Sequence, residues 1–386
     1  MKTFPLLAFL LLTGAGCSAT RTLPAENGQC FEEKKFEAAV MDNRYLTLEF
    51  LPDTMGRISS IRYRPTDTEL LSPYKALILR GNPLFEPMRD NGCGIRELLW
   101  GVTMTGASIP VATESRTRES ITFSSDYYGN TNFGLRRCVR LPPESLVIET
   151  SLEIRNNGIT PASYSVWLNL LPAAPAVPVI PAAAKRSARG RGERWVPSYD
   201  TIFPGLQGEA SVTPAQYWAG AVLAGRNLVW ACEAPAAEFE PDGFFYSWQG
   251  NTQNGKICTF EPVLGSRKLP PGGMQRHRYR ILVFPGLNGL RTILGDCGVD
   301  AVLEPSHAAV KISAASPQKI QKWELFLDGS ARQVSLGEIQ VPALDAGGIF
   351  EFRKQIPRNL PQGRYRLLLR SNGRSYELTG CRLIIK

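Results

Sequence analysis

Residues 146–155 alternate without a break. Leu146, Ile148, Thr150, Leu152 and Ile154 fall on one side of an extended chain, and Val147, Glu149, Ser151, Glu153 and Arg155 on the other. Successive side chains of a strand point to opposite faces, so this pattern makes a strand with one buried and one largely wet face. Tyr45–Leu51, Arg57–Tyr63, Tyr164–Leu170, Asn227–Glu233 and Tyr279–Phe284 read the same way. Turn formers separate such runs at short intervals: Asn156-Asn157-Gly158, the Ala224–Asn227 stretch, and Pro270-Pro271-Gly272-Gly273. Many short alternating runs divided by turns predict an all-β chain of antiparallel sheets stacked as sandwiches. No long amphipathic helix interrupts them.

Two stretches break the rhythm. Pro172–Gly192 is rich in proline and alanine and then in arginine. Proline removes a ladder donor, so the expectation there is a long loop or inserted segment rather than a central strand. Its cations Lys185, Arg186, Arg189 and Arg191, with Arg194 just beyond, read either as solvated charge or as a clamp over an acidic glycan or anionic headgroups. A second shift falls at Cys297–Ser306. Fresh strand patterns follow at Ala309–Ile312, Trp323–Leu327, Ile349–Phe352, Arg364–Arg370 and Tyr376–Ile385, with Asn372-Gly373 as a strong hairpin signal between the last two. Residues 303–386 fit a small Ig-like sandwich.

The N-terminus reads as an export signal. Lys2 precedes the apolar run Pro5–Leu12, and Gly14, Ala15 and Gly16 precede Cys17. Small residues before a cysteine resemble a bacterial lipobox, although Gly14 stands where leucine is usual. The expectation is an exported chain, in the periplasm or at the outer membrane, lipid-anchored through Cys17. Cleavage near Ala19 and an uncleaved anchor are the alternatives. Past this run no apolar stretch approaches the roughly 18 residues of a spanning helix.

Charge and chemistry narrow the function classes. Lys+Arg 44 against Asp+Glu 35 gives +9, leaning on arginine, which suits carboxylate, sulfate or phosphate contacts as well as plain solubility. Nucleic acid is not the partner expected of an exported chain. Eight cysteines become seven without Cys17: 30, 93, 138, 232, 258, 297 and 381. They are widely spaced with no CxxC, so zinc is not indicated, and one or two disulfides stay open with unassigned pairing. The sequence calls for no metal and no cofactor: it holds no HExxH, P-loop or GxSxG, and only two histidines, His277 and His307. His277 reads as a packing or surface residue.

Three segments together resemble the galactose-mutarotase-like superfamily. Asn43–Tyr63 is similar to its opening hairpin. Leu146–Asn169 is similar to its long strand, Asn-Gly turn and Trp-containing strand. Phe260-Glu261-Pro262 with Leu269-Pro270-Pro271-Gly272 is similar to its late acidic residue and closing turn. The resemblance covers roughly residues 36 to 290 and lies nearer the superfamily's functionally unassigned bacterial branch than the true aldose epimerases. It implies a large antiparallel supersandwich over 30–297 that binds carbohydrate, followed by the Ig-like sandwich over 303–386, with 1–17 as the signal and lipobox segment.

The resemblance also implies a catalytic pair, and here the chain departs from it. Aldose epimerases use a histidine acid and a late glutamate base. Glu261 matches the base, but the strand that would carry the acid reads Tyr164–Leu170 and has Asn169 instead. An amide hydrogen-bonds but does not shuttle protons at neutral pH. The expectation is therefore a carbohydrate-binding protein of the cell envelope. The alternatives are a carbohydrate-active enzyme using Glu261 as catalytic base and a structural envelope lipoprotein. Sugar recognition needs aromatic faces and planar polar groups. The substrate-binding candidates are Arg89, Asp90, Arg96, Glu97, Trp100, Tyr127, Tyr128, Trp167, Asn169, Tyr246 and Trp248.

Overall fold

The computed structural model describes residues 21–24, 30–33, 37–72, 77–79, 94–100, 111–127, 131–191, 201–202, 207–252, 255–329 and 332–385. Residues 1–17, expected from the sequence to be a signal and lipobox, lie outside them, as do Arg89, Asp90, Cys93, Tyr128 and Arg194. The described chain is nearly all antiparallel strand, as the alternation predicts; its one α-helix is the four-residue Ala236–Phe239.

Two large sheets dominate. Nine strands run in the order Thr201–Ile202, Ala176–Ile180, Trp218–Leu223, Leu228–Glu233, Met274–Pro285, Val147–Asn156, Phe133–Arg140, Ser120–Ser125, Ala112–Arg116. The second sheet has eleven. Its path is Ala182–Arg191, Gln207–Pro214, Phe244–Thr252, Glu261–Val263, Val166–Leu170, Ile95–Leu99, Arg57–Tyr63, Leu46–Leu51, Ala39–Asp42, with Gly255–Cys258 and Thr68–Glu69 alongside. The sheets pack face to face over one continuous apolar core. Phe50 meets Phe123 across it with ring centroids 5.6 Å apart, and Trp230 meets Phe260 at 4.8 Å. Such rings bury the most apolar area per residue, which is why they sit at the middle of the sandwich.

A second apolar cluster lies between two four-stranded sheets. One runs Thr292–Leu294, Cys297–Leu303, His307–Ala314, Ile349–Gln355; the other Gln333–Val341, Gln321–Gly329, Gly363–Ser371, Arg374–Ile385. Asn372 and Gly373 both take positive φ, 48° and 74°, and close the final hairpin with Ser371 opposite Arg374. A two-residue turn of this kind matches the strands' own twist. This second core starts earlier than residue 303. Cys297, Val299 and Ala301 are buried in it because their strand pairs with His307–Ala314.

The Pro/Ala-rich segment is a correction to the sequence reading. It forms two strands, Ala176–Ile180 and Ala182–Arg191, not a loop. Each lies at a sheet margin. Pro178 aligns only with Ala221, since the two-residue strand beyond reaches Val179 and Ile180 alone. A proline is tolerated where no ladder partner needs its missing N–H. The open disulfide question is narrowed too. Among the described residues no disulfide joins Cys138, Cys232, Cys258, Cys297 and Cys381 to one another, and the last four are buried.

Candidate functional site

The Val166–Leu170 strand runs through the middle of the eleven-stranded sheet. On one side Trp167 aligns with Leu98 and Asn169 with Arg96. On the other Trp167 aligns with Val263, and Tyr246 in turn aligns with Glu261. Aligned residues share a face, and so do residues two apart along a strand. Arg96, Trp167, Asn169, Glu261, Tyr246, Phe244 and Trp248 therefore all project from the face turned away from the nine-stranded sheet. Trp100 joins them from just beyond its strand, where its amide bonds Ser165 O at 2.9 Å.

The aromatic members form one cluster. The Trp100 ring lies 4.9 Å from Trp167, 5.5 Å from Phe244 and 5.7 Å from Tyr246, edge-on to the first two and tilted to the third. Trp100 is 37% exposed, so this cluster opens to solvent. Arg186 lies over the Phe244 ring at 4.4 Å and donates to Asp242 O at 3.0 Å. It reaches that position through a bulge: Lys185 aligns with Val212 and Ser187 with Ser211, leaving Arg186 as the extra residue. Bulges re-aim side chains in this way.

Glu261 forms the floor. It is 2% exposed, and the Trp167 indole Nε1–H donates to its Oε2 at 2.5 Å. Burial pushes its carboxyl up to about 7, against opposing pulls from hydrogen bonds with Thr259, Trp167 and Asn169 and from the Arg96 cation. Asn169 is buried, and its Oδ1 has no hydrogen-bond partner among the described residues. A buried amide oxygen without a donor is costly, and a ligand hydroxyl would relieve that cost.

Other candidates are placed elsewhere. Glu97, the neighbour of Arg96, points to the opposite face. It is 3% exposed and sits between the sheets, accepting from Arg137 Nη1 at 2.6 Å and from the Tyr279 hydroxyl at 2.6 Å. It is a core carboxylate, not a ligand group, because adjacent strand residues cannot share a face. Tyr127 is 62% exposed at the end of a strand in the other large sheet, away from this cluster. His277 is fully buried between the Tyr164 hydroxyl, 2.8 Å from Nε2, and Glu238, 2.7 Å from Nδ1. His307 lies in the C-terminal sandwich. With only two histidines in the chain, no imidazole serves the Glu261 face.

Phe244 and Thr259 were not among the sequence candidates, whereas Arg186 belongs to the basic run read there as solvated charge or a glycan clamp. Phe244 carried a usable signal, since Phe244, Tyr246 and Trp248 alternate onto one face. Arg186 was marked by its basic run, but the bulge that brings it over Phe244 leaves no mark in the sequence.

No family model matches the chain. No curated protein matches it either. Solved structures of similar strand arrangement include a galactose mutarotase related enzyme from Lactobacillus acidophilus, 12% identical over 66% of this chain and 100% of that one, TM-score 0.44. Another is a galactose mutarotase-like protein from Clostridium acetobutylicum, 9% identical over 69% and 98%, TM-score 0.45. A TPR-domain containing protein from Parabacteroides distasonis is 12% identical over 66% of this chain and 47% of its own, TM-score 0.48. At these identities and overlaps the likeness says nothing about the residues of the site.

Proposed function

We propose that the outer face of the eleven-stranded sheet binds a carbohydrate. Trp100 and its ring neighbours supply the platform for the C–H face of a sugar ring. Glu261, Asn169 and Arg96 supply hydrogen bonds to its hydroxyls. The observation that carries this reading is the convergence of Trp167, Asn169 and Glu261 on one face, with the indole hydrogen-bonded to the carboxylate. Aromatic surface beside a few fixed polar groups is the usual make-up of a small-molecule site. Export and anchoring through Cys17 remain part of the proposal and rest on the N-terminal sequence alone. A glycan array tests it. Wild type should retain at least one glycan class, and Trp100→Ala and Glu261→Gln should lose it. If wild type retains no glycan, the face is scaffold.

The raised Glu261 carboxyl favours a second reading, catalysis. A group that titrates near neutrality is suited to general base work. It would take the proton of the anomeric hydroxyl as the C1–O5 bond broke, with the Tyr246 phenol giving its proton to the ring oxygen and recovering it on reclosure, and the Arg96 guanidinium steadying the charge. Without a histidine acid this is half of the epimerase machinery, so binding is the primary reading. NMR of anomer interconversion separates the two: a wild-type rate well above the uncatalysed one establishes the enzyme.

A further inference from the structure

The nine-stranded sheet has its own outer face, and the charges there are laid out in rows. Arg140, Glu149, Arg280 and Glu233 align across four strands. Arg136, Glu153 and Arg276 align across three. Every arginine in these rows has an acid. Arg140 reaches Glu149 at 3.3 Å and Arg276 reaches Glu153 at 3.1 Å. Arg136 reaches Glu114 at 2.7 Å, and Arg280 holds both Glu233 and Asp296. The row between them reads Cys138, Ser151, Arg278. It contains no acid. The Arg278 side chain is exposed and has no hydrogen bond or ion pair among the described residues. Glu238, the nearest acid by contact, accepts from the Arg278 backbone N–H at 3.1 Å and is engaged by His277.

This uncompensated cation lines a cavity of about 930 Å³. Tyr217, 42% exposed with its ring braced by Phe239 at 5.4 Å, forms one wall. Tyr376 from the C-terminal sandwich forms another. Gln216 fixes these walls to each other. Its amide donates to Glu377 O at 3.2 Å and Thr379 Oγ1 at 2.9 Å, and its oxygen accepts from Trp218 Nε1 at 2.8 Å and Thr292 Oγ1 at 2.8 Å.

We propose that this cavity is a second binding site, for a sugar-sized monocarboxylate of the hexuronate type. A guanidinium receives a carboxylate through two parallel hydrogen bonds. The tyrosine rings suit the apolar face of a pyranose, and the Ser151 hydroxyl and the Glu149 and Glu233 carboxylate edges suit its hydroxyls. Those same acids exclude a dianion: the cavity has one cation to spare, and a phosphate's second charge would face Glu149 and Glu233. The volume matches the roughly 300–1,000 Å³ of small-ligand sites. The site is separate from the Glu261 face and does not depend on it.

Calorimetric titration of the full chain with D-glucuronate and D-galacturonate tests this, with glucose and galactose as uncharged controls. Wild type should bind a uronate through Arg278, and any binding of the matching neutral sugar, at the Glu261 face, should be indifferent to Arg278→Gln. Arg278→Gln should weaken uronate binding about 10- to 100-fold, the range for a charge-assisted hydrogen bond, with Arg278→Lys between. Glu261→Gln should leave it unchanged. Tyr217→Ala, read at the same cavity, should weaken uronate binding and keeps the test valid if the Arg278 variants lose stability. Failure of both uronates to bind overturns the proposal. So does uronate binding that survives Arg278→Gln or is lost in Glu261→Gln, or neutral-sugar binding that falls with Arg278→Gln as far as uronate binding does.

Discussion

Replacing Glu261 with glutamine should change how stability depends on pH, in a direction set by the site's geometry. The carboxyl is 2% exposed, and burial raises it from 4.5 to about 7. In the unfolded chain the group ionises around its ordinary value; in the folded chain it holds its proton until neutrality. Between those points the unfolded state has released a proton that the folded state retains, so raising the pH favours unfolding. The contribution is intact below pH 4.5 and is lost as pH rises through 7. At about 1.4 kcal/mol per tenfold change in the proton equilibrium, the gap corresponds to about 3 kcal/mol. Glutamine does not ionise and keeps an oxygen for the Trp167 indole, so the variant lacks this slope. Urea denaturation of both proteins at steps from roughly pH 4 to pH 8 measures it, since other titrating groups cancel in the difference. Wild type should lose about 3 kcal/mol relative to Glu261→Gln over that range. A flat difference refutes the reasoning. A slope of opposite sign means that the hydrogen bonds and Arg96 outweigh burial.

Further outcomes follow from other parts of the molecule. Glu97→Gln leaves the fully buried Arg137 guanidinium without its acid and should cost about 3–5 kcal/mol in denaturant unfolding, the range for breaking a buried ion pair. Gly265→Ala would drive a Cβ into Glu240 O, so the turn must shift, at a cost of about 1–3 kcal/mol; an unchanged melting temperature contradicts that contact. Asn169→His puts an imidazole beside Glu261 and should raise anomer interconversion by a factor on the order of 100 over wild type, as NMR would record; no gain means the face is not arranged as an acid–base pair.

Much of the fold was legible because it is built from the simplest pattern a chain can carry. Arg57–Tyr63 is the same strand in sequence and structure, and Leu146–Arg155 differs by one residue at each end from Val147–Asn156. Asn372-Gly373 makes the turn its residues require. The misreading of 172–192 came from treating proline as a strand breaker without knowing that its strands lie at sheet margins. Sheet order is a property of long-range pairing and is not written locally. At the site, period two places Trp167 and Asn169 together; the same rule separates Glu97 from Arg96, but it could be applied only once the structure made Ile95–Leu99 a strand. Glu261 was found only through the resemblance, because its strand is three residues long and carries no periodicity of its own. The bulge that turns Arg186 toward Phe244 and the acid-free row around Arg278 emerge only once strands are paired.

The sugar site on the Glu261 face is tested most directly by labelling the seven tryptophans with fluorine and titrating a panel of hexoses while following their NMR signals. The Trp100 and Trp167 resonances, assigned by single replacement, should shift saturably with at least one sugar, while Trp230 and Trp323, buried in the two cores, stay fixed. Glu261→Gln should weaken that titration by about 1–3 kcal/mol. If no sugar moves Trp100 or Trp167, or if their shifts are indifferent to Glu261→Gln, the carbohydrate site is not on this face.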